Sequence, residues 1–281
     1  MIVQKLFTFI LYILFLPILS FGENISRNYQ LYDGIPLVNC AFDGDKVFQA
    51  CLVDTGSYSS RLPPELFHKS KKYAGGEVNH TFTASGAISR CQALNLSSLE
   101  IDDLALNPTL VDKCDGSPRG IIGINAFDGS AWNFNLKAGL IQKSPDDLIR
   151  SRSLVRDSNG YAYVPIKIDG IHVNALFDTG ITLGGAVDPI FVKENPNLFR
   201  FERKVNAQDP SGTIASYNVY TMKTVDFGEG HILKSVEVLV LEQPLMWKVF
   251  NSSGAPILLG MESLRHFDWH IDLKNNLWRI K

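Results

Sequence analysis

Charge is scarce in this chain. In 281 residues, 27 Lys and Arg stand against 29 Asp and Glu, a formal net charge of −2. No strong positive field exists to hold a phosphate backbone or an anionic membrane surface, so no nucleic-acid partner is expected. Cysteine is missing from the second half. Cys40, Cys51, Cys91 and Cys114 all lie in the first. An even count permits two disulfides, in three pairings that spacing leaves open; some of the four can equally be small buried apolar residues. The six histidines show no metal-ligand spacing. His266 and His270 are four apart but flank an apparent strand, where they read as polar edge positions. Gly-x-Ser-x-Gly is absent, which removes the serine nucleophile elbow. No metal site and no cofactor are expected. Lys69, Lys71 and Lys72 read as a solvated loop rather than a binding patch.

Long apolar runs are also missing, with one exception at the N-terminus. Residues 6–19 are almost wholly apolar, follow Lys5, and precede Ser20-Phe21-Gly22. That is the three-part pattern of a secretory signal, and the run is shorter than the roughly 20 residues that span a bilayer. Residues 1–22 are therefore read as an export signal, leaving 26 basic against 29 acidic side chains and no membrane anchor after cleavage. Export into an oxidising compartment makes disulfides plausible chemistry. At 45% hydrophobic the chain is too apolar for disorder, and its length suits one large or two small domains.

The chain repeats itself. Residues 36–56 read PLVNCAFDGDKVFQACLVDTG and residues 162–180 read AYVPIKIDGIHVNALFDTG. Each is an apolar strand, an Asp-Gly turn, a second strand and then Asp-Thr-Gly; Asp-Gly between such runs is a strong hairpin signal. A polar hairpin tip follows each: Thr83-Ala84-Ser85-Gly86 in the first half and Asp209-Pro210-Ser211-Gly212 in the second. Then come Ile121-Ile122-Gly123 and Leu258-Leu259-Gly260. From Gly123 onward the two halves align without gaps at an offset of 137, with Trp132 over Trp269. Pro63-Pro64 and Asp188-Pro189 can each open a short helix. Short β-branched and aromatic runs with turn punctuation make the fold class mainly β. The expected organisation is a first half at 23–142, a polar exposed linker at 143–160 whose Arg150, Arg152 and Arg156 are open to nicking, and a second half at 161–281.

Two Asp-Thr-Gly motifs, each ending a matching hairpin, carry a definite chemistry. A carboxylate at the end of an apolar strand is partly desolvated, which favours its neutral form. Glycine lets backbone amides approach it, and the Thr hydroxyl can bond across to a partner. If Asp54 and Asp178 face each other they share one proton and titrate as a unit. The ionised member takes a proton from water and the protonated member donates to a carbonyl oxygen, which hydrolyses an amide without metal or covalent intermediate.

These motifs resemble those of aspartic proteases of the pepsin and retropepsin superfamily, over essentially the whole chain after the signal. The resemblance implies a bilobal, pepsin-like double barrel with pseudo-two-fold symmetry and an extended polypeptide substrate between the lobes. It makes Asp54 and Asp178 the catalytic pair and Thr55, Gly56, Ser57, Thr179 and Gly180 the supporting loop residues. Thr55 and Thr179 would bond across the lobes, and Ser57 would bond the outer oxygen of Asp54. Thr83, Ala84, Ser85 and Gly86 would form the flap, and Gly123 and Gly260 would pack beneath the active-site loops. With both aspartates in one chain, a monomer suffices. Ile181 stands where pepsins usually carry Ser or Thr and retropepsins Ala. Losing that hydroxyl should shift the pair toward higher pKa and the optimum toward mildly acidic pH. The same residues also fit a peptide-binding protein that keeps such a fold without cutting, or an exported β-rich structural module.

Overall fold

The computed structural model describes residues 27–28, 30–32, 34–43, 49–66, 75–82, 86, 88–102, 104–107, 110–115, 119–144, 151–208 and 213–281. The expected export signal, Lys69, Lys71 and Lys72, the tip residues Thr83, Ala84 and Ser85, Arg150, and residues 209–212 lie outside them. Within the described residues the fold is mainly β, with strands in three sheets of six, ten and eight.

The two sequence repeats build two similar local arrangements. Strands Ile35–Phe42 and Gln49–Val53 form an antiparallel hairpin, and so do Ala162–Ile168 and Ile171–Phe177. The second hairpin turns on Asp169 and Gly170, both at positive φ (47° and 92°), as a tight Asp-Gly turn requires. The apolar-apolar-Gly segments are strands lying parallel to the second arm of each hairpin. Gly120–Ile122 pairs with Gln49–Val53, and Ile257–Leu259 with Ile171–Phe177. Each Asp-Thr-Gly loop therefore starts from a fully paired inner strand.

The closing hairpins of both halves join in the six-stranded sheet, where Ala131–Asn135 lies antiparallel to Asp268–Asp272. The repeat-equivalent residues Asn133 and His270 stand directly opposite each other, and His270 Nδ1 lies 2.9 Å from Asn133 Oδ1. His270 is wholly buried in this central strand rather than an edge residue as the sequence suggested, because the sheet continues on both sides of it. An edge-to-face aromatic row runs across the joint: Phe127–Phe134 in the first half, Phe134–Phe177 between the halves and Phe177–Trp269 in the second, with centroids 5.3–5.4 Å apart. Such contacts add about 0.5–1.5 kcal/mol each beyond burial. Phe177 immediately precedes Asp178, so this aromatic row is the floor of the second motif.

Of the expected exposed linker at 143–160, the described residues 151–160 form a strap. Arg152–Ser153 pairs with Leu277–Ile280, Leu154 is buried, and Val155–Arg156 pairs with Ala162–Ile168. Arg152 lies 3.8 Å above the Trp278 ring and donates to the Phe227 carbonyl, and Arg156 pairs with Asp128 at 2.9 Å. These arginines read as linker charge because their partners are distant in sequence.

The disulfides join Cys40 to Cys51 and Cys91 to Cys114. The first crosslinks the first hairpin. The second ties strand Ile88–Asn95, which returns from the polar tip, to Leu110–Cys114. Pro189–Glu194 is a helix whose cap is Asp188, accepting from the Ile190 amide at 2.8 Å. Among the described residues no helix is long and apolar enough to cross a membrane.

Candidate active site

Asp54 and Asp178 sit at the ends of their strands for the same local reason. The Asp54 amide donates to Ile122 O and the Asp178 amide to Leu259 O, both at 3.0 Å. The apolar-apolar-Gly strand thus holds the first backbone atom beyond each arm. Gly123 and Gly260 end those strands under the loops. A Cβ on Gly123 would press into the backbone of residues 57–59, and one on Gly260 into Leu183 O and Ile181. Both glycines thus pack against the residues that follow the Asp-Thr-Gly triplets.

The two loops interlock through their threonines. The Thr55 amide donates to Thr179 Oγ1 at 3.1 Å, and the Thr179 amide donates to Thr55 Oγ1 at 3.0 Å. Each hydroxyl then donates to a carbonyl of the opposite motif: Thr55 Oγ1 to Phe177 O and Thr179 Oγ1 to Val53 O, both at 2.7 Å. Both threonines are fully buried. A buried hydroxyl must place its donor and acceptor capacity, and each does so on the other half.

The aspartates cross over the glycines. The Asp178 carboxyl fills the space above Gly56 where a side chain would stand, and the Asp54 carboxyl fills the space above Gly180. The two carboxyls are thus brought together over the crossed glycines. The Ser57 amide donates to Asp54 Oδ1 at 3.1 Å and the Gly180 amide to Asp178 Oδ1 at 2.8 Å. The Ser57 hydroxyl, expected on Asp54, points instead to Ser59 O at 3.4 Å. The backbone amide already occupies that side of the carboxylate.

Burial pushes both carboxyls above the usual carboxylate range. For Asp178, the charge of Asp54 adds to burial and drives it well up. For Asp54, the positive charge of Arg61 and the Ser57 amide pull back against burial. Both carboxyls are thus raised, and the pair holds a shared proton and titrates as a unit. Ile181 offers no hydroxyl to the pair; its carbonyl accepts from the Met261 amide at 2.7 Å.

Two residues escaped sequence reasoning. Arg61 is buried at 9% exposure and donates from Nη2 to Thr81 Oγ1 at 3.0 Å. Tyr161 packs edge-on against Tyr58, with centroids 6.1 Å apart. Burial, then the charge of Asp54, pushes its phenol up to about 12, so it stays a neutral hydroxyl near the pair. Neither belongs to a repeated motif, and a lone Arg or Tyr near a strand carries no positional signal.

Of the four expected flap residues only Gly86 is described. It sits at positive φ (85°) against the Gln243 side chain of the second half, so the hairpin reaches across to the other Asp-Thr-Gly side. Gln243 also borders a cavity of about 300 Å³ lined by Lys204, Tyr217, Asn218 and Glu242 among others. One group of potential metal ligands comes together among the described residues, Cys91, Asp112 and Cys114. The two sulfurs are bonded to each other, so neither is available as a thiolate.

A carboxylate and a carboxylic acid in contact, held by amides and closed to most solvent, can accept a proton from one side of a bound group and donate one to the other. Compared with models of known protein families the chain matches none, and comparison with curated proteins finds no match either.

Proposed function

We propose that this chain is an exported aspartic-type endopeptidase that hydrolyses peptide bonds with Asp54 and Asp178. The observation that carries the reading is the crossing of the two motifs. Each aspartate lies over the other motif's glycine, while the threonines exchange amide and hydroxyl bonds. An accidental pair of strand-end turns has no reason to be reciprocal in both respects.

In this reading the chain is a bilobal, pepsin-like double barrel, with lobes at 23–142 and 161–281 joined by the strap. Its pseudo-two-fold axis passes through the Asn133–His270 pair, where repeat-equivalent residues oppose each other. The ionised member of the pair takes a proton from water as the water oxygen bonds to the scissile carbonyl carbon, and the protonated member donates to the carbonyl oxygen; on collapse the C–N bond breaks, one aspartate gives its proton to the leaving amine and the other recovers one from the intermediate's hydroxyl. The substrate is an extended polypeptide between the lobes, recognised through its backbone and by pockets for alternate side chains. One chain supplies both aspartates, so the active form is a monomer. Two disulfides and the N-terminal apolar run support an exported location.

The test is cleavage of an unfolded protein substrate across about pH 3 to 7, comparing wild type with Asp54→Asn and Asp178→Ala. General acid–base loss should slow either variant by about a thousandfold while leaving the fold intact. A transition-state-mimicking inhibitor of aspartic proteases should compete with substrate. A wild type inert over that whole range would remove the reading.

A further inference from the structure

We propose that the cavity at the root of the second polar hairpin is a specificity pocket that takes a carboxamide side chain, Asn or Gln, of the polypeptide substrate. This rests on the peptidase reading for the substrate, and deepens it by naming what the cleft selects.

The cavity follows from where one strand stops. Phe199–Gln208 and Ile214–Asp226 form the hairpin, and Ile232–Val240 runs along the second of them. Pairing between the two hairpin strands continues out to Gln208 and Ile214, whereas pairing to the third strand ends at Asn218 opposite Val240. Residues 214–217 therefore overhang with a paired strand on one side only. The third strand does not follow them. The Leu241 amide donates to Val187 O at 3.3 Å and the Gln243 amide to Leu241 O at 3.0 Å, and the chain turns into helix Pro244–Asn251. The notch between the overhang and this turn is the cavity of about 300 Å³. Lys204, Asn218 and Val240 are partners across successive strands and share a face, and Ser216, two residues from Asn218, shares it too. Val240 is the buried part of the lining, and Lys204, Ser216 and Glu242 are its exposed part.

Two features join the cavity to the aspartate pair. Gln243 lines it, and the side-chain amide of the same Gln243 stands against Gly86 of the hairpin from the first half. The overhang also packs through Val205, Ala207, Ala215 and Tyr217 on the apolar cluster that includes Leu258 and Ile181, the residue after the second Asp-Thr-Gly. A peptide lying between the two hairpins passes the mouth of the cavity.

The lining selects the guest. It holds one cation, Lys204, and one anion, Glu242, beside the side-chain amides of Asn218 and Gln243 and the Ser216 hydroxyl. An acidic guest meets Glu242 and a basic one meets Lys204, while an apolar guest strips water from polar groups without replacing its hydrogen bonds. A carboxamide donates through nitrogen and accepts through oxygen, so it satisfies both kinds of group and adds no charge. The volume leaves room for bridging water.

The test uses the full-length protein and matched peptides that carry Gln, Leu, Lys or Glu at each position flanking the cut. At one position the wild type should favour Gln over Leu by about tenfold in kcat/KM. Asn218→Leu should shrink that ratio to about twofold or less. Lys204→Gln should raise the rate on the Lys peptide severalfold, and Glu242→Gln should do the same for the Glu peptide. A variant that merely loosens the fold would lower all four peptides together. A wild type that cuts without preferring Gln at any position would overturn the pocket and leave the peptidase reading standing. Charge variants whose Lys and Glu rates fail to rise would do the same. If the wild type cuts nothing, the peptidase reading fails on its own, and binding of the same peptides, measured by fluorescence anisotropy, decides the pocket. Gln-dependent binding that Asn218→Leu weakens about tenfold upholds it. Binding indifferent to Gln, or none, ends it.

Discussion

At Gly56 one added methyl would occupy the space that the Asp178 carboxyl fills, and at Gly180 the space of the Asp54 carboxyl. Neither site needs glycine for a left-handed backbone. Each needs it because the opposing aspartate stands there. Gly56→Ala and Gly180→Ala should therefore act on the pair directly. Pushing the carboxyls apart should cut activity at least about a hundredfold and cost about 1–3 kcal/mol of stability from overpacking. Peptidase assays and urea denaturation measure the two. Thr55→Val and Thr179→Val test the interlock. Each leaves two buried partners unsatisfied, an amide and a carbonyl, and should cost about 2–4 kcal/mol. The Asp-Thr-Gly triplets were legible in the sequence as a pair. That each glycine serves the other motif's aspartate was not, because the contact joins residues more than 120 positions apart.

At the scale of elements, the hairpins, the apolar-apolar-Gly strands and the helix after Asp188 follow from short patterns: period-two apolarity, Asp-Gly, and an Asp-Pro cap. The cap is testable. Asp188 accepts from the Ile190 amide and from Asn251 Nδ2, at 2.8 and 2.6 Å. Asp188→Ala should cost about 1–2 kcal/mol by denaturant melting. The Cys91–Cys114 bridge closes a 23-residue separation at the root of the hairpin. On the chain-entropy account its loss in Cys91→Ser with Cys114→Ser should cost about 3 kcal/mol. Urea denaturation of the double variant beside the wild type, both oxidised, measures that loss. Which cysteines pair was open in the sequence, since four residues allow three pairings and only the ladder register chooses among them. The strap at 151–160 was misread for a related cause. Its polar composition resembles a loop, and it becomes structure only against Trp278 and Asp128.

For the whole molecule, pH acts in two opposing ways. Burial, then the positive charges of Arg279 and Lys281, hold His270 down at about 4, from an ordinary value near 6.5. Between those values the unfolded chain binds the proton and the folded chain does not. Stability from this site is full above about 6.5 and is lost as pH falls toward 4, by up to about 3 kcal/mol. The raised carboxyls of Asp54 and Asp178 have the opposite sign: the folded state holds protons that the unfolded state releases, so their contribution falls as pH rises above the ordinary carboxylate range. In chemical denaturation from about pH 4 to 7, the stability of the wild type relative to His270→Gln should grow as pH rises. The optimum for cleavage should be mildly acidic, because the buried pair keeps its shared proton there and His270 withdraws stability lower down; a kcat/KM profile peaking below about pH 3 would contradict this. The sequence alone determined the β class, the duplication, the two acidic triplets and the strands that feed them, because all of these arise from local periodicity, turn chemistry and repetition within one chain. The tertiary structure alone decided which cysteines bond, that residues 151–160 are a strap, that His270 is central, and that Arg61 is buried and bonded to Thr81. Those depend on register between strands far apart along the chain, and each is a pairing choice that no local pattern encodes.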